Sequence, residues 1–311
     1  MSLRIAVVGA GGFGRAIALA SARRGHEVVL WSRQDRELPK PIRMSTDMAD
    51  IRDRELVFVA VPARHAVSAA QRLGEVVDGR HSMVHVSRGL IGAELKTITQ
   101  VIREKTVCRR IGALAGPLVA EALAEGRPSG AILGTGFPEL TGMVRDALGG
   151  AGLRVYETTD VVGVELASAT VGFLTVVLGY AQEIGVEPGT VAVLATRGMV
   201  EISRIGQTLG AKESTFLGLA GLGDLIAAVA GDQRPEFRLG GAMARGADLR
   251  SAIGEVGAYV EGIEVARHLM EHAQRHGLET PISSTFVAVA DGRMSSDDAI
   301  QALMERHVGK E

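Results

Sequence analysis

Arg4-Ile5-Ala6-Val7-Val8-Gly9-Ala10-Gly11-Gly12-Phe13-Gly14 is the stretch whose reading decides the fold. A short apolar, β-branched run meets a G-x-G-x-x-G turn, and a helical stretch over Gly14–Arg24 follows. That strand–turn–helix order is what a dinucleotide cradle requires. Gly9 allows the tight turn, Gly11 lets a pyrophosphate approach the backbone, and Gly14 lets helix and strand pack closely. Gly12 and Phe13 complete the cradle. The helix start offers free N–H groups and partial positive charge to phosphates. Without the wider context, the same glycines would be only a turn.

The context supplies an alternation of strands and helices. Strands are predicted at Arg4–Val8, Glu27–Trp31, Leu56–Val61, Ser82–Val86, Ala131–Leu133 and Gly152–Tyr156, with helices between them such as Gly14–Arg24 and His65–Leu73. This predicts an α/β fold with a Rossmann-type doubly wound parallel sheet. Beyond Thr158 the segments lengthen and turn helical: Val161–Ile184, Gly189–Leu209 and Ser214–Val229. We therefore expect an NAD(P)-binding domain over residues 1–158 and an all-helical substrate domain over 159–311. The second strand ends at Trp31-Ser32-Arg33 without the acid that holds ribose hydroxyls in NAD-selective sites. Arg33 can meet a 2′-phosphate, stack on adenine or stay solvated, so NAD and NADP both remain open as the cofactor.

Bulk properties narrow the class. Of 311 residues 46% are hydrophobic but only 4% aromatic, so small aliphatic residues must do most of the packing. A net charge of −2 with no basic block argues against nucleic-acid binding. The one cysteine, Cys108, forms no internal disulfide and reads as a small buried residue. No secretory signal is visible at Met1-Ser2-Leu3-Arg4, and a cytoplasmic location is expected. The apolar stretch between Glu165 and Glu183 reads as a buried helix rather than a membrane span. The apolar helical half could support a homodimer.

Further motifs carry a family resemblance. They are Val61-Pro62-Ala63, Ser87-Arg88-Gly89-Leu90, Ala115-Gly116-Pro117-Leu118-Val119-Ala120-Glu121, Asp160 through Leu166, Thr196-Arg197-Gly198, Gly218 through Leu225, Val260-Glu261-Gly262 and Pro281-Ile282. In order and spacing the series resembles the bacterial NAD(P)-dependent glycerol-3-phosphate dehydrogenases. The resemblance implies a Rossmann domain followed by a helical domain of the 6-phosphogluconate dehydrogenase C-terminal-like kind. It also implies hydride transfer between sn-glycerol 3-phosphate and dihydroxyacetone phosphate, at the start of phospholipid synthesis. By resemblance, Arg88, Gly116, Asp224 and Arg234 would contact a small-molecule substrate. Arg88, Ala120, Tyr259 and Glu261 would join the glycine turn and Arg33 around the cofactor. Asp224 and Arg88 are the catalytic candidates, and no metal is implied.

Departures fall on the chemistry. The family's general acid/base lysine corresponds to Val171, and the asparagine after it to Gly172. The family's S-R-N, which binds substrate phosphate and cofactor, corresponds to Arg234-Pro235-Glu236; Arg238 lies nearby. Arg88 replaces a lysine, keeping its charge but not its ability to give up a proton. Leu118 replaces a serine. His65 or His85 could stand in for the missing base, although His65 reads better as a surface or helix-start histidine; His268 and His272, spaced i, i+4, read as a solvated helix face rather than a metal pair. Asp224, Glu261 and Glu165 are the acids expected to face the cleft. Three readings result: a dehydrogenase of glycerol 3-phosphate, a relative with another alcohol or carbonyl substrate, and a dinucleotide-binding pseudoenzyme.

Overall fold

The computed structural model describes residues 2–150, 152–231 and 234–305. Its first half contains β1 (Arg4–Val8), α1 (Gly12–Arg23), β2 (Glu27–Trp31), β3 (Arg43–Ser45), β4 (Leu56–Val59), α2 (Ala66–Gly74), β5 (Ser82–His85) and α3 (Ile98–Lys105). Then come β6 (Arg110–Ala115), α4 (Ala120–Glu125), β7 (Ser129–Thr135), α5 (Pro138–Leu148) and β8 (Leu153–Thr158). The strands form one sheet in the order β3-β2-β1-β4-β5-β6-β7-β8. The chain winds outward from β1 both ways, so the C-terminal ends of β1 and β4 diverge into a crevice. Alternation along the strands divides the core. Ile5, Val7, Leu56 and Phe58 pack under one helical layer; Ala6, Val8, Val57 and Val59 pack under the other.

The predicted doubly wound sheet is present, with two refinements. The sheet is mixed: β7 runs antiparallel to β6, and β8 parallel to β7. Two strands escape the sequence reading. β3 is a three-residue edge, too short for a pattern. β6 reads Arg-Ile-Gly-Ala-Leu-Ala, poor in β-branched residues, and is made a strand by burial between β5 and β7.

The second half is helical: α6 (Val161–Glu183), α7 (Pro188–Thr208), α8 (Glu213–Phe216), α9 (Asp224–Ala230), α10 (Pro235–Ala244), α11 (Leu249–Val256), α12 (Gly262–Arg275), α13 (Pro281–Ala290) and α14 (Ser296–Met304). By length and composition alone, α6 is apolar enough to cross a membrane, but its apolar window is 89% buried inside the fold, as expected of a core helix. The segment 213–230 passes the same test, yet it is broken by a π-helical turn at Leu219–Gly223 and so is not the single helix expected. Small residues set the helix contacts. A β-carbon at Gly179 would strike the Phe237 carbonyl, and one at Gly240 the Val176 carbonyl, so α6 and α10 touch backbone to backbone.

Asp160 fixes where α6 starts. Its carboxylate accepts from the Gly163 amide at 3.0 Å, the Lys212 amide at 2.9 Å and the Thr215 hydroxyl at 2.6 Å, tying the helix start to α8. Asp160→Ala removes a cap and leaves the buried Thr215 hydroxyl and the part-buried Lys212 amide unpaired. It should cost about 2–4 kcal/mol, read as a lower urea midpoint at unchanged slope.

Candidate active site

The crevice is built on the glycine turn. Gly9 adopts φ +116°, and its amide donates to the Trp31 carbonyl at 2.9 Å. A β-carbon at Gly14 would sit inside the van der Waals shell of the Gly9 carbonyl, so α1 rests directly on the turn. Gly11, the N-cap of α1, and Gly12 are different: a β-carbon at either meets nothing within 4 Å. Two glycines make the turn and two keep the space over the helix start clear, which is the shape a pyrophosphate needs. Phe13 contributes backbone only, since its side chain packs into the sheet core. Arg33 is exposed past β2. Ala120 opens α4 and is half-buried.

Across the crevice, the π-helical turn delivers Asp224 to the start of α9. The Asp224 side chain is fully buried between two guanidinium groups. Arg88, three residues past the end of β5, approaches at 2.6 and 3.3 Å, and Arg234 at 2.5 Å. Arg88 also reaches the Gly116 carbonyl at 3.4 Å, where Gly116 has φ +112°. Burial works against the Arg88 charge, but the carboxylates of Asp224 and Glu236 beside it hold its pKa above the ordinary value. Four substrate candidates (Arg88, Gly116, Asp224 and Arg234) are thus brought together.

At the positions of the family's lysine and serine the side chains are apolar. Val171 is fully buried in the helical core. A β-carbon at Gly172 would meet only Glu236, at 3.9 Å, while a β-carbon at Gly262 would come within 3.0 Å of the Gly172 carbonyl, so the two backbones lie close. Leu118 is buried.

A second group spans the crevice nearer the ends of β4 and β5. The Arg64 guanidinium lies 3.7 Å over the Tyr259 ring, joining the turn after β4 to the helical half. Sequence reasoning missed Arg64, although it directly follows Val61-Pro62-Ala63. Glu261 stands beside it, its carboxyl so close to Gly89 that a β-carbon there would come within 2.5 Å of Oε2. Burial pushes the Glu261 carboxyl up to about 7, against the amides of Ala63 and Arg64, which favour its charge.

Other expectations are corrected. Glu165 does not face the cleft: it is buried between β5, α3 and α6, 2.8 Å from the His85 ring and accepting from the Thr99 amide at 2.8 Å. That pairing holds His85 Nε2 in a buried seam away from the crevice, so His85 is not a substitute base. His65 is partly exposed, and its Nε2 accepts from Arg64 at 3.2 Å; burial and the charges of Arg64 and Arg33 lower its pKa. His272 is not on a solvated face. It is buried against the Thr208 hydroxyl at 2.9 Å and stacks on His276 at 4.1 Å. Cys108 is buried as expected, its thiol pKa raised by burial. His307 lies outside the described residues.

An open glycine cradle on a doubly wound sheet, faced by helices carrying an acid between two arginines, defines an NAD(P)-dependent oxidoreductase. The family model for the NAD-dependent glycerol-3-phosphate dehydrogenase N-terminus matches residues 4–38 and 34–139, and that for the C-terminus matches residues 160–301. The chain belongs to this family. It is 34% identical to the glycerol-3-phosphate dehydrogenase [NAD(P)+] of Dechloromonas aromatica, over 98% of each chain. It is 31% identical to that of Thermoanaerobacter sp., over 98% of this chain and 97% of the relative. The crystal structure of glycerol-3-phosphate dehydrogenase from Coxiella burnetii superposes with a TM-score of 0.91 at 25% identity, covering 98% of this chain and 99% of that one.

Proposed function

We propose that the chain transfers hydride reversibly between sn-glycerol 3-phosphate and dihydroxyacetone phosphate, using NAD or NADP. The observation that carries this reading is Asp224 held between Arg88 and Arg234 on the far side of the crevice from the open cradle. In it, Gly9, Gly11, Gly12 and Gly14 hold the pyrophosphate; Arg33 lies on the adenosine side; Ala120, Tyr259 and Glu261 line the rest. The dinucleotide supplies or accepts the hydride. Arg88, oriented by Asp224 and unable to shed its proton, polarises the substrate oxygen, and Gly116 and Arg234 complete the pocket. The division into residues 1–158 and 159–311 belongs to the same reading. So do a cytoplasmic location, a small-molecule substrate and no nucleic-acid partner. A homodimer would be fed by exposed apolar side chains such as Val193 and Ile226.

A second reading, a different alcohol or carbonyl substrate, is favoured by charge. Arg88 and Arg234 are balanced by Asp224 and Glu236, leaving little net attraction for a phosphate dianion. A pseudoenzyme is the third reading, favoured by Val171. Turnover of dihydroxyacetone phosphate by purified protein with NADH and NADPH separates these. We expect slow turnover, and expect Val171→Lys with Gly172→Asn to raise kcat/KM by about a hundredfold, the low end of what a positioned acid/base contributes. No turnover in either protein would discard the glycerol 3-phosphate reading.

A further inference from the structure

With valine at the family's lysine position, the proton that accompanies the hydride needs another carrier. Such a group must be titratable, must stand at the ends of β4 and β5 where the sheet leads the chain into the crevice, and must have a face not already engaged.

The titratable groups on the crevice fail one by one. Asp224 is bridged by both arginines. Arg88 and Arg234 keep their protons. His85 Nδ1 and Glu165 Oε2 have no hydrogen-bond partner among the described residues, but the two groups face each other in the seam between β5, α3 and α6, away from the cleft, and so fail on position. His65 accepts from Arg64. Glu236 leans toward Gly172 and lends its charge to Arg88. Tyr259 lies under the Arg64 guanidinium, and burial raises its pKa.

Glu261 remains. One carboxyl oxygen, Oε2, lies against Gly89, next to Arg88. The other, Oε1, is buried and has no hydrogen-bond partner among the described residues. The next residue, Gly262, packs on the backbone of Gly172 and Phe173, immediately beyond Val171. The carboxyl is therefore carried by the chain segment that seats against the very turn of α6 from which the lysine is missing.

We propose that Glu261 is a catalytic residue of this chain, the proton donor and acceptor that replaces the family's lysine, acting at Oε1. The proposal rests on the dehydrogenase reading above. In the oxidation direction the substrate hydroxyl gives its proton to Glu261, while its carbon gives a hydride to the oxidised dinucleotide. The C–O bond becomes a carbonyl, and the carboxyl returns its proton to water. Reduction runs the same steps backwards. The groups facing Glu261 are the Arg64 side chain and the amides of Ala63 and Arg64 from the turn after β4, Tyr259 from its own segment, and Glu264 from its own helix; Gly89 brings no charge. Burial, with repulsion from Glu264, outweighs the amides and Arg64, so the carboxyl exchanges its proton near pH 7.

The sign follows. Reduction needs the protonated carboxyl, so kcat should be flat below about pH 7 and fall above it; oxidation needs the carboxylate and should rise toward pH 7 and level off. The test compares full-length wild type with Glu261→Gln, which keeps shape and hydrogen-bonding capacity. With dihydroxyacetone phosphate, kcat should fall by about 10²- to 10⁴-fold and the pH limb near 7 should vanish, a far larger effect than any loss of NADH or NADPH affinity from its place in the cofactor lining. A surviving limb, or weakened dinucleotide binding at unchanged kcat, overturns the proposal and leaves Glu261 a cofactor contact. A second readout needs no turnover: protein labelled with carboxyl-¹³C glutamate, titrated with and without NADH, the Glu261 signal being the one absent from Glu261→Gln. A midpoint near 7 is expected. A midpoint below about 5 overturns the proposal even where dihydroxyacetone phosphate proves not to be the substrate.

Discussion

Replacing Gly11 by alanine should leave a folded protein that has lost its dinucleotide. Gly11 sits at φ −68° and ψ 174°, where alanine is at ease, and its β-carbon would enter open space. Folding stability should change by less than about 1 kcal/mol, the loss of a good N-cap being offset by a stiffer unfolded chain. That open space is the cradle, however, and a methyl group there holds the pyrophosphate away from the free N–H groups of α1. Affinity for NADH and NADPH should fall about 100-fold, near 2.7 kcal/mol. Gly14→Ala is the contrasting substitution. Its β-carbon collides with the Gly9 carbonyl, so α1 must lift from β1, costing about 3 kcal/mol or more. Dinucleotide titration followed by Trp31 fluorescence, beside urea denaturation of both variants, checks the pair. Equal loss of stability in both would mean that Gly11 serves packing and not a ligand.

The same contrast shows what was legible in the sequence. The glycine spacing could be read because each position has a steric job that no other residue performs. Strands β1, β2 and β4 could be read because their runs are apolar on both faces, and β5, Ser82-Met83-Val84-His85, from its place in the alternation. β6 could not: its Gly and Ala residues carry no periodic signal, and only burial between neighbours makes it a strand. In the site, Asp224 and Arg88 were found through resemblance, since 136 residues separate them and no local pattern joins them. Glu165 reads as facing the cleft and His85 as a possible stand-in base because a single sequence shows titratable groups but not their partners. Facing each other at 2.8 Å, they turn out to join the sheet to α6. His272 was misread for a similar reason: charged neighbours on α12 suggest a solvated face, while Thr208 on α7 covers it. Glu261 could be listed among the acids, but its unengaged oxygen depends on the turns after β4 and β5, which come from distant parts of the chain.

Asp224→Ala should be the most damaging single change in the helical half. It removes the carboxylate shared by Arg88 and Arg234, whose side chains are 27% and 12% exposed, too little for water to take over fully. Removing one partner of such a buried pair costs about 3–5 kcal/mol, chiefly through the charge left behind; the partial exposure of Arg88 places the expected loss near the lower end. Activity should vanish as well, because Arg88 would be free to swing away from the crevice and Arg234 would lose the anchor fixing the start of α10. The two causes can be separated. Arg88→Met removes one guanidinium, so in the Asp224→Ala background it should restore part of the lost stability instead of adding to the loss, giving a coupling energy of about 1.5–3 kcal/mol in a double-mutant cycle. Dinucleotide affinity in Asp224→Ala should stay within about threefold of wild type, since the glycine cradle lies on β1 and α1. Strictly additive losses would show that the acid and the arginine stand near one another without acting together, and the crevice would then need a different account of how its substrate side is held in place.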